Sequence, residues 1–153
     1  NLSNEGVFFT SNTKKLFSLK KYVSQITDIE IQKEWPFVGE NAFTHIVGTH
    51  QWGVRKNWYN YEPIKPCIVG NVRKLPLGVL SDYRSVKGAL KDNGINVDRY
   101  SEWKFKEVAR EVRNKADKTG EFVSTRELIE IWGNYRDINQ GTYNKEKLKE
   151  GNY

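Results

Sequence analysis

Glycine and proline interrupt the middle of this 153-residue chain, and their spacing limits its fold more than any other feature. Between Pro36 and about Pro76, each apolar group runs for only a few residues before one of them appears. Glycine favours turns, while proline removes a backbone donor and makes the preceding residue extended. The pattern therefore predicts mostly loops and short elements here. The interrupting residues are Gly39, Gly48, Gly53, Pro63, Pro66 and Gly70.

Helical periodicity precedes this region. Apolar residues at spacings of three and four predict an amphipathic helix over 12–27, with Asn12 placed to cap it. The stripe consists of Leu16, Leu19, Val23 and Ile26.

Three further helices are predicted after the irregular region. The first begins near Ser81 and ends before Gly94, with a stripe of Tyr83, Val86 and Leu90. The second runs from about Asp98 or Ser101 to Lys118, with Gly120 after it. The third opens with the capping box Ser124-Thr125-Arg126-Glu127 and continues through Trp132. A short helix around residues 145–150 is also expected.

These patterns predict a mainly α fold in four parts. Residues 1–35 hold a helix and a linker, and residues 36–80 form an irregular subdomain. A small three-helix subdomain follows over 81–135, and residues 136–153 are a polar tail. The chain has no methionine and begins at Asn1, which indicates a fragment or a processed piece of a longer protein.

The charge pattern argues against a nucleic-acid partner. The net charge is +6, but basic residues exceed acidic ones by only four in residues 1–76 and by two in residues 77–153. The two signs alternate along the helices, as on solvated helix faces. A helix-turn-helix over 101–132 would present Glu127 and Glu130 to the phosphates. A mildly positive surface instead favours an anionic small molecule.

Composition also bears on location. Purely apolar stretches are only a few residues long, against roughly 20 needed to cross a bilayer, so we expect no membrane span. The single cysteine, Cys67, cannot form an internal disulfide, which favours a reducing, cytoplasmic compartment. We expect Cys67 to be a small buried hydrophobe.

The two histidines, His45 and His50, both lie in the irregular region. Their spacing is not the i,i+4 spacing of a helical zinc pair, and no acidic residue follows closely after Glu40, so we expect no metal site from this chain alone. A hydrogen-bonded structural histidine is the simpler interpretation of each. Downstream, Pro63 and Pro66 fix the backbone near Tyr61, whose hydroxyl can then be presented reproducibly. The residues alone allow a His–Tyr acid/base or polarising pair.

The segments that carry these residues form an ordered pattern, which resembles the post-barrel segment of the 2-isopropylmalate synthase and homocitrate synthase family. The family pattern is approximately P-x-V-G-x-x-A-F-x-H-x-x-G-x-H-x-x-G-x-x-K-N, followed by Y-E-P and V-G. It corresponds here to Pro36–His45, Gly48–Val54, Lys56-Asn57, Tyr61–Pro66 and Val69-Gly70. On this resemblance, the first helix is the last helix of a barrel, and residues 81–132 are a small helical subdomain.

The resemblance implies a Claisen-type acyltransferase, in which an acyl-CoA methyl group is added to a 2-oxo acid held on a divalent metal (Zn, Mg or Mn). It implies His50 and Tyr61 as catalytic residues that reach the active site of the partner subunit in a domain-swapped dimer, with His45 structural. The metal ligands would lie on a barrel that this chain lacks, supplied by a barrel-containing polypeptide or a second copy. This chain alone would then be inactive.

Two family motifs are altered here. The family's G-K-H-S-G-R is replaced by a segment that carries Leu80, Asp82 and Tyr83, and its H-E-S-G has Ile46 and Val47 at the central positions. The alternative interpretation is therefore a non-catalytic interaction or dimerisation module of the same fold. The 2-oxo acid is not specified by this segment, because the family's side-chain pocket lies on the barrel.

Overall fold

The structure, a computed structural model, describes residues 12–138 and is mainly helical there, as predicted. The five α-helices of this part are α1 (Leu16–Thr27), α2 (Gly48–Lys56), α3 (Tyr83–Asp92), α4 (Glu102–Thr119) and α5 (Thr125–Arg136). Single 3₁₀ turns cover Thr13–Lys15, Trp58–Asn60 and Pro66–Ile68. Isolated β-bridges join Thr44 to Lys74 and Leu77 to Val123.

The chain divides into two compact units that are not continuous in sequence. One unit contains the residues up to Thr44 together with Glu62–Lys74, and so includes α1. The other contains His45–Tyr61 and the residues from Leu75 onward, and so includes α2 to α5. The chain therefore changes unit after Thr44, after Tyr61 and after Lys74.

The helical unit has an apolar core in which α3 packs against α2 and α4, and α5 packs against α4. Its helices meet through side chains at the predicted three- and four-residue spacings, which is why α3, α4 and α5 were predictable. Phe105 stacks on Trp132 with ring centroids 5.5 Å apart, which joins α4 to α5. The largest fully buried apolar side chains of this core are Val86, Leu90, Val97, Phe105, Val108, Val112 and Leu128.

Local signals set the ends of these helices. Gly94 and Gly120 both have positive φ, and Gly120 is the left-handed cap of α4, as predicted. The predicted capping box of α5 is confirmed: Ser124 accepts from the Glu127 N–H, and Glu127 accepts from the Ser124 N–H. Hydrogen bonds from Lys115 and Ser124 lower the pKa of Glu127 to about 2.

The unit that includes α1 is held by polar contacts. The buried Asn71 amide donates to the carbonyls of Phe37 and Gly39 at 3.0 and 2.9 Å. Arg73 donates to both oxygens of the buried Glu62 carboxylate, at 2.7 and 2.6 Å. These hydrogen bonds raise the pKa of Arg73.

The apolar stripe of α1 is left largely uncovered by the residues that the structure describes. Its four residues are exposed to between 38% for Leu16 and 84% for Ile26. Burial of such side chains normally stabilises an amphipathic helix. Helix α1 therefore presents an apolar face without an intrachain partner among residues 12–138.

Two local predictions are wrong. Cys67 is exposed, because it lies in the short turn Pro66–Ile68, of which only Pro66 is buried. Asn12 does not cap the first α-helix with its side chain: it precedes the 3₁₀ turn, and α1 begins at Leu16.

Helix α2 lies within the region predicted to be mostly loops, although its nine residues count among the short elements allowed there. The helix predicted near residues 145–150 lies outside the described residues. None of the helices in the described part is both long and apolar enough to cross a bilayer.

The α5 capping box gives a test of this fold. We expect Ser124→Ala to lower the free energy of unfolding by about 1 kcal/mol, because it removes the acceptor of the Glu127 N–H. Chemical denaturation of the full chain measures this change. Thr125→Ala, one residue later and without a capping bond, is the control; an equal loss in both variants would contradict the assigned cap.

Candidate functional site

Helix α2 carries the site, and its first residue is constrained by the chain that leads into α3. The Gly48 N–H donates to the Leu80 carbonyl at 3.2 Å. A Cβ on Gly48 would lie 2.5 Å from Cγ of Asp82, which leaves no room for a side chain. Asp82 itself caps α3 by accepting from the Ser85 N–H at 2.8 Å. The start of α2 therefore lies directly against the start of α3.

The two sequence-predicted catalytic residues lie together. The rings of His50 and Tyr61 stack with centroids 4.2 Å apart and an interplanar angle of 29°. His50 is half-buried on α2, and Tyr61 is 45% exposed directly after the turn Trp58–Asn60. Both side chains are therefore accessible to a ligand while they contact each other.

Gly53 makes this arrangement possible. It lies one helical turn after His50, and a Cβ on it would come within 2.4 Å of Cε2 of Tyr61. The absence of a side chain lets the Tyr61 ring lie on the surface of α2 beside His50. This explains physically why glycine follows the histidine by three residues in the sequence pattern.

Three asparagine and backbone contacts hold the turn that carries Tyr61. Oδ1 of Asn57 accepts from the Tyr59 N–H at 3.2 Å, and the Tyr61 N–H donates to the Trp58 carbonyl at 3.3 Å. Nδ2 of Asn60 donates to the Gly53 carbonyl at 3.2 Å, which ties the turn back to α2. These bonds limit the positions that Tyr61 can adopt.

His45 lies beside the pair rather than within it. Its ring centroid is 6.5 Å from that of His50 and 6.3 Å from that of Tyr61. Its backbone carbonyl accepts from Nε2 of Gln51 at 2.8 Å, and the same nitrogen donates to the Pro76 carbonyl at 2.7 Å. Gln51 is fully buried, so this amide fixes the backbone on both sides of the site.

The altered motif residues have structural positions. Val47 precedes α2 and provides no side-chain cap, and Ile46 and Leu80 are exposed at 41% and 52%. Asp82 caps α3 and Tyr83 is its first residue. None of these five side chains replaces the imidazole or the phenol of the stacked pair.

The described residues do not fit a metal centre. Within 12–138, no group of three His, Cys, Asp or Glu side chains is arranged to hold a metal ion.

Sequence reasoning missed the cleft that adjoins Tyr61. This cleft has a volume of about 400 Å³ and is lined by Thr49, Trp52, Gly53, Asn60, Tyr61 and Arg84. Trp52 and Gly53 lie in the segment Gly48–Val54, which matches the family pattern, so the sequence did draw attention to this part of the cleft. Arg84 comes from α3, and nothing in the local sequence connects it with α2.

Comparisons with known proteins bear on the same stretch. A family described as homocitrate synthase post-HMGL domain-like matches residues 37–120. The chain is 35% identical over 131 residues to 2-isopropylmalate synthase of Methanocaldococcus jannaschii, covering 85% of this chain and 25% of that protein. It is 34% identical over 136 residues to the (R)-citramalate synthase of the same organism, covering 89% of this chain and 26% of that protein.

A shorter match has higher identity. A probable 2-isopropylmalate synthase of Ignicoccus hospitalis is 45% identical over 87 residues, which cover 57% of this chain and 22% of that protein. The chain thus spans about a quarter of the length of these relatives.

The contact between Tyr61 and Gly53 is testable. We expect Gly53→Ala to displace the Tyr61 ring, because the added methyl group would overlap it. Nuclear Overhauser effects between the His50 and Tyr61 rings should be lost. Gly133→Ala is the control, since a Cβ there meets nothing within 4 Å, and it should stabilise α5 by about 0.5–1 kcal/mol. Retained ring contacts in Gly53→Ala would contradict the proposed packing.

Proposed function

This chain belongs to the homocitrate synthase post-HMGL domain-like family, and we propose that it is the post-barrel part of an enzyme that condenses an acyl-CoA with a 2-oxo acid. In this proposal His50 and Tyr61 are its contribution to the active site. The acyltransferase activity belongs to the complete enzyme, whose barrel holds the divalent metal.

The observation that carries the proposal is the stacking of His50 on Tyr61. The two residues are eleven positions apart and reach each other because Gly53 has no side chain. Both rings remain partly accessible. An imidazole and a phenol side by side on an open surface are suited to polarise a carbonyl group and to orient a water molecule beside it.

Each side chain has a role in the proposed reaction. His50 donates a hydrogen bond to the thioester carbonyl oxygen, which stabilises negative charge as the adjacent methyl group loses its proton. Tyr61 orients the water that hydrolyses the thioester after the new carbon–carbon bond forms. A divalent metal held on the barrel would polarise the keto group of the 2-oxo acid. No described residue of this chain is assigned to hold it.

The exposed stripe of α1 supports a barrel partner. Leu16, Leu19, Val23 and Ile26 present an apolar surface of the kind that a neighbouring helix or strand covers. We assign this surface to contact with the metal-bearing barrel, within the same protein or in a second copy of a domain-swapped dimer.

The alternative function is a non-catalytic interaction module of the same fold. The α1 stripe does not distinguish the two functions, because both require this chain to bind a partner. The altered residues Leu80, Asp82 and Tyr83 favour the non-catalytic module. The two functions differ in whether His50 affects turnover.

Turnover of a reconstituted enzyme separates them. The chain is combined with a barrel-containing polypeptide of the family and a divalent metal, and thiol release from acetyl-CoA is measured with a 2-oxo acid. We expect His50→Ala to lower kcat by about 10²–10⁴-fold, the usual contribution of a general acid–base residue. We expect Tyr61→Phe, which removes only the hydroxyl, to lower kcat as well.

Tyr59→Phe is the matched control for the phenol. Tyr59 is 70% exposed, contacts Trp58 and does not line the cleft beside Tyr61. Its loss of a hydroxyl should leave turnover unchanged. Unchanged turnover in His50→Ala, with folding intact by circular dichroism, would support the interaction module and overturn the catalytic assignment.

The assignment of the α1 stripe as the contact surface is tested by introducing a charge into it. Leu19→Lys places a cation in the centre of the α1 stripe, and we expect it to weaken association with the barrel polypeptide by at least about tenfold. Gln25→Lys adds the same charge on the opposite side of α1 and should have little effect. Sedimentation velocity measures both. Equal association of the two variants would exclude the stripe as the contact surface.

A further inference from the structure

We propose that the loop 33–41 is a preformed docking element, which presents the ring of Phe37 to the barrel partner. The loop lies in the same unit as α1 and follows it in sequence. That the partner is the barrel rests on the proposed function. The strained conformation that presents the ring does not, and it can be measured on this chain alone.

Phe37 has an unusual backbone conformation. Its φ is 64°, in the left-handed region, and the Val38 N–H donates to the Pro36 carbonyl at 2.7 Å, which closes a γ-turn around it. Among the described residues other than glycine, only Asp28 also has a positive φ, which a short polar side chain tolerates. For a bulky side chain the conformation is strained, and such strain persists only where the surrounding structure holds it.

Contacts within the same unit hold the strained turn. Nδ2 of Asn71 donates to the Phe37 and Gly39 carbonyls at 3.0 and 2.9 Å, and Asn71 is only 4% exposed. The Gly39 N–H donates to the Trp35 carbonyl at 2.9 Å, and a Cβ on Gly39 would lie 2.3 Å from the carbonyl oxygen of Lys33. The loop therefore closes tightly on itself, and its conformation is set without a partner.

The strained turn leaves aromatic side chains at the surface. Phe37 is 41% exposed, and Trp35, two residues earlier, is 40% exposed. A conformation that is unfavourable for the fold and leaves an apolar ring in water is expected where that ring serves binding. Aromatic residues are enriched at protein–protein interfaces, and a preformed anchor binds more tightly because no loop has to be ordered.

The loop adjoins the apolar stripe of α1. Oε1 of Glu40 lies 3.6 Å from Nζ of Lys20, whose side chain is only 12% exposed. On the helix surface Lys20 neighbours the stripe residues Leu16 and Val23, four positions before it and three after it. Phe37 precedes Glu40 by three residues, a reach of at most about 11 Å. One partner surface can therefore cover the stripe and the ring together.

A barrel is the partner that fits this combined surface. The chain spans about a quarter of the length of its relatives, so a much larger body of polypeptide accompanies the matched stretch in those proteins. A rigid ring gains most from a pocket that is itself preformed. The surface of a folded domain provides such a pocket, whereas a flexible segment does not.

The strain is tested on this chain alone by comparing Phe37→Gly with Phe37→Ala. Both remove the ring, but only glycine adopts a positive φ without steric cost, so Phe37→Gly should have the higher urea midpoint. Glu34 lies in the same loop and lacks a positive φ. There the alanine variant should be the more stable, because glycine loses more backbone entropy on folding. A midpoint for Phe37→Gly at or below that of Phe37→Ala would overturn the strained presentation of the ring.

Sedimentation velocity with a barrel-containing polypeptide of the family tests the docking. We expect Phe37→Ala and Phe37→Gly each to weaken association by at least about tenfold. Phe122→Ala is the matched control, since Phe122 is 58% exposed but lies in the helical unit. It should change association by less than about twofold. Circular dichroism of each variant establishes that the helices remain.

The outcomes separate this inference from the proposed function. Weaker association in Leu19→Lys, with unchanged association in both Phe37 variants, would reject the docking role of Phe37 and retain the α1 contact. Equal weakening by Phe122→Ala would also reject that role. Failure of the unaltered chain to associate with the barrel polypeptide would reject both. Self-association of the chain that depends on Phe37 would assign the ring to a second copy and overturn the barrel as its partner.

Discussion

The packing of α2 against α3 is the constraint on which the site depends. Arg55 crosses from α2 to Asp92 at 2.6 Å, and its guanidinium occupies the space that a side chain on Gly88 would need. At the other end of α2, Gly48 lies against Asp82. Helix α3 is in turn anchored by Val86 and Leu90 in the core that it shares with α4 and α5. The orientation of α2 therefore follows from a core that contains neither His50 nor Tyr61.

Two residues of α2, Gly53 and the buried Gln51, determine how the site around His50 is arranged. His50 can meet Tyr61 only because Gly53 leaves the surface of α2 open between them. The buried Gln51 amide joins the carbonyls of His45 and Pro76, so the chain enters and leaves the site at fixed points. Such supporting contacts determine where the imidazole of His50 and the phenol of Tyr61 are held. The proposed function depends on that placement, because misplaced groups react slowly.

The sequence predicted the parts of this fold that depend on local signals. Helices α3, α4 and α5 have regular apolar spacing and clear ends, such as Gly120 and the Ser124 capping box, so neighbouring residues suffice to identify them. Helix α2 contains two glycines in nine residues and lacks a side-chain cap, so its local propensity is weak. The residues alone allowed a His–Tyr pair, and the family resemblance singled out His50 and Tyr61. Their contact through Gly53, and the position of Arg84, depend on tertiary packing that no local pattern encodes.

The interleaving of the two units has a consequence for how this segment can be inherited. The chain changes unit at three places, so no single cut separates the α1 unit from the helical unit. A gene fusion or exchange with one junction inside 45–74 would leave each unit incomplete, with part of its core on the wrong side. Recombination would therefore tend to transmit residues 12–138 as one block. The apolar face of α1 and the histidine of α2 would then be acquired or lost together.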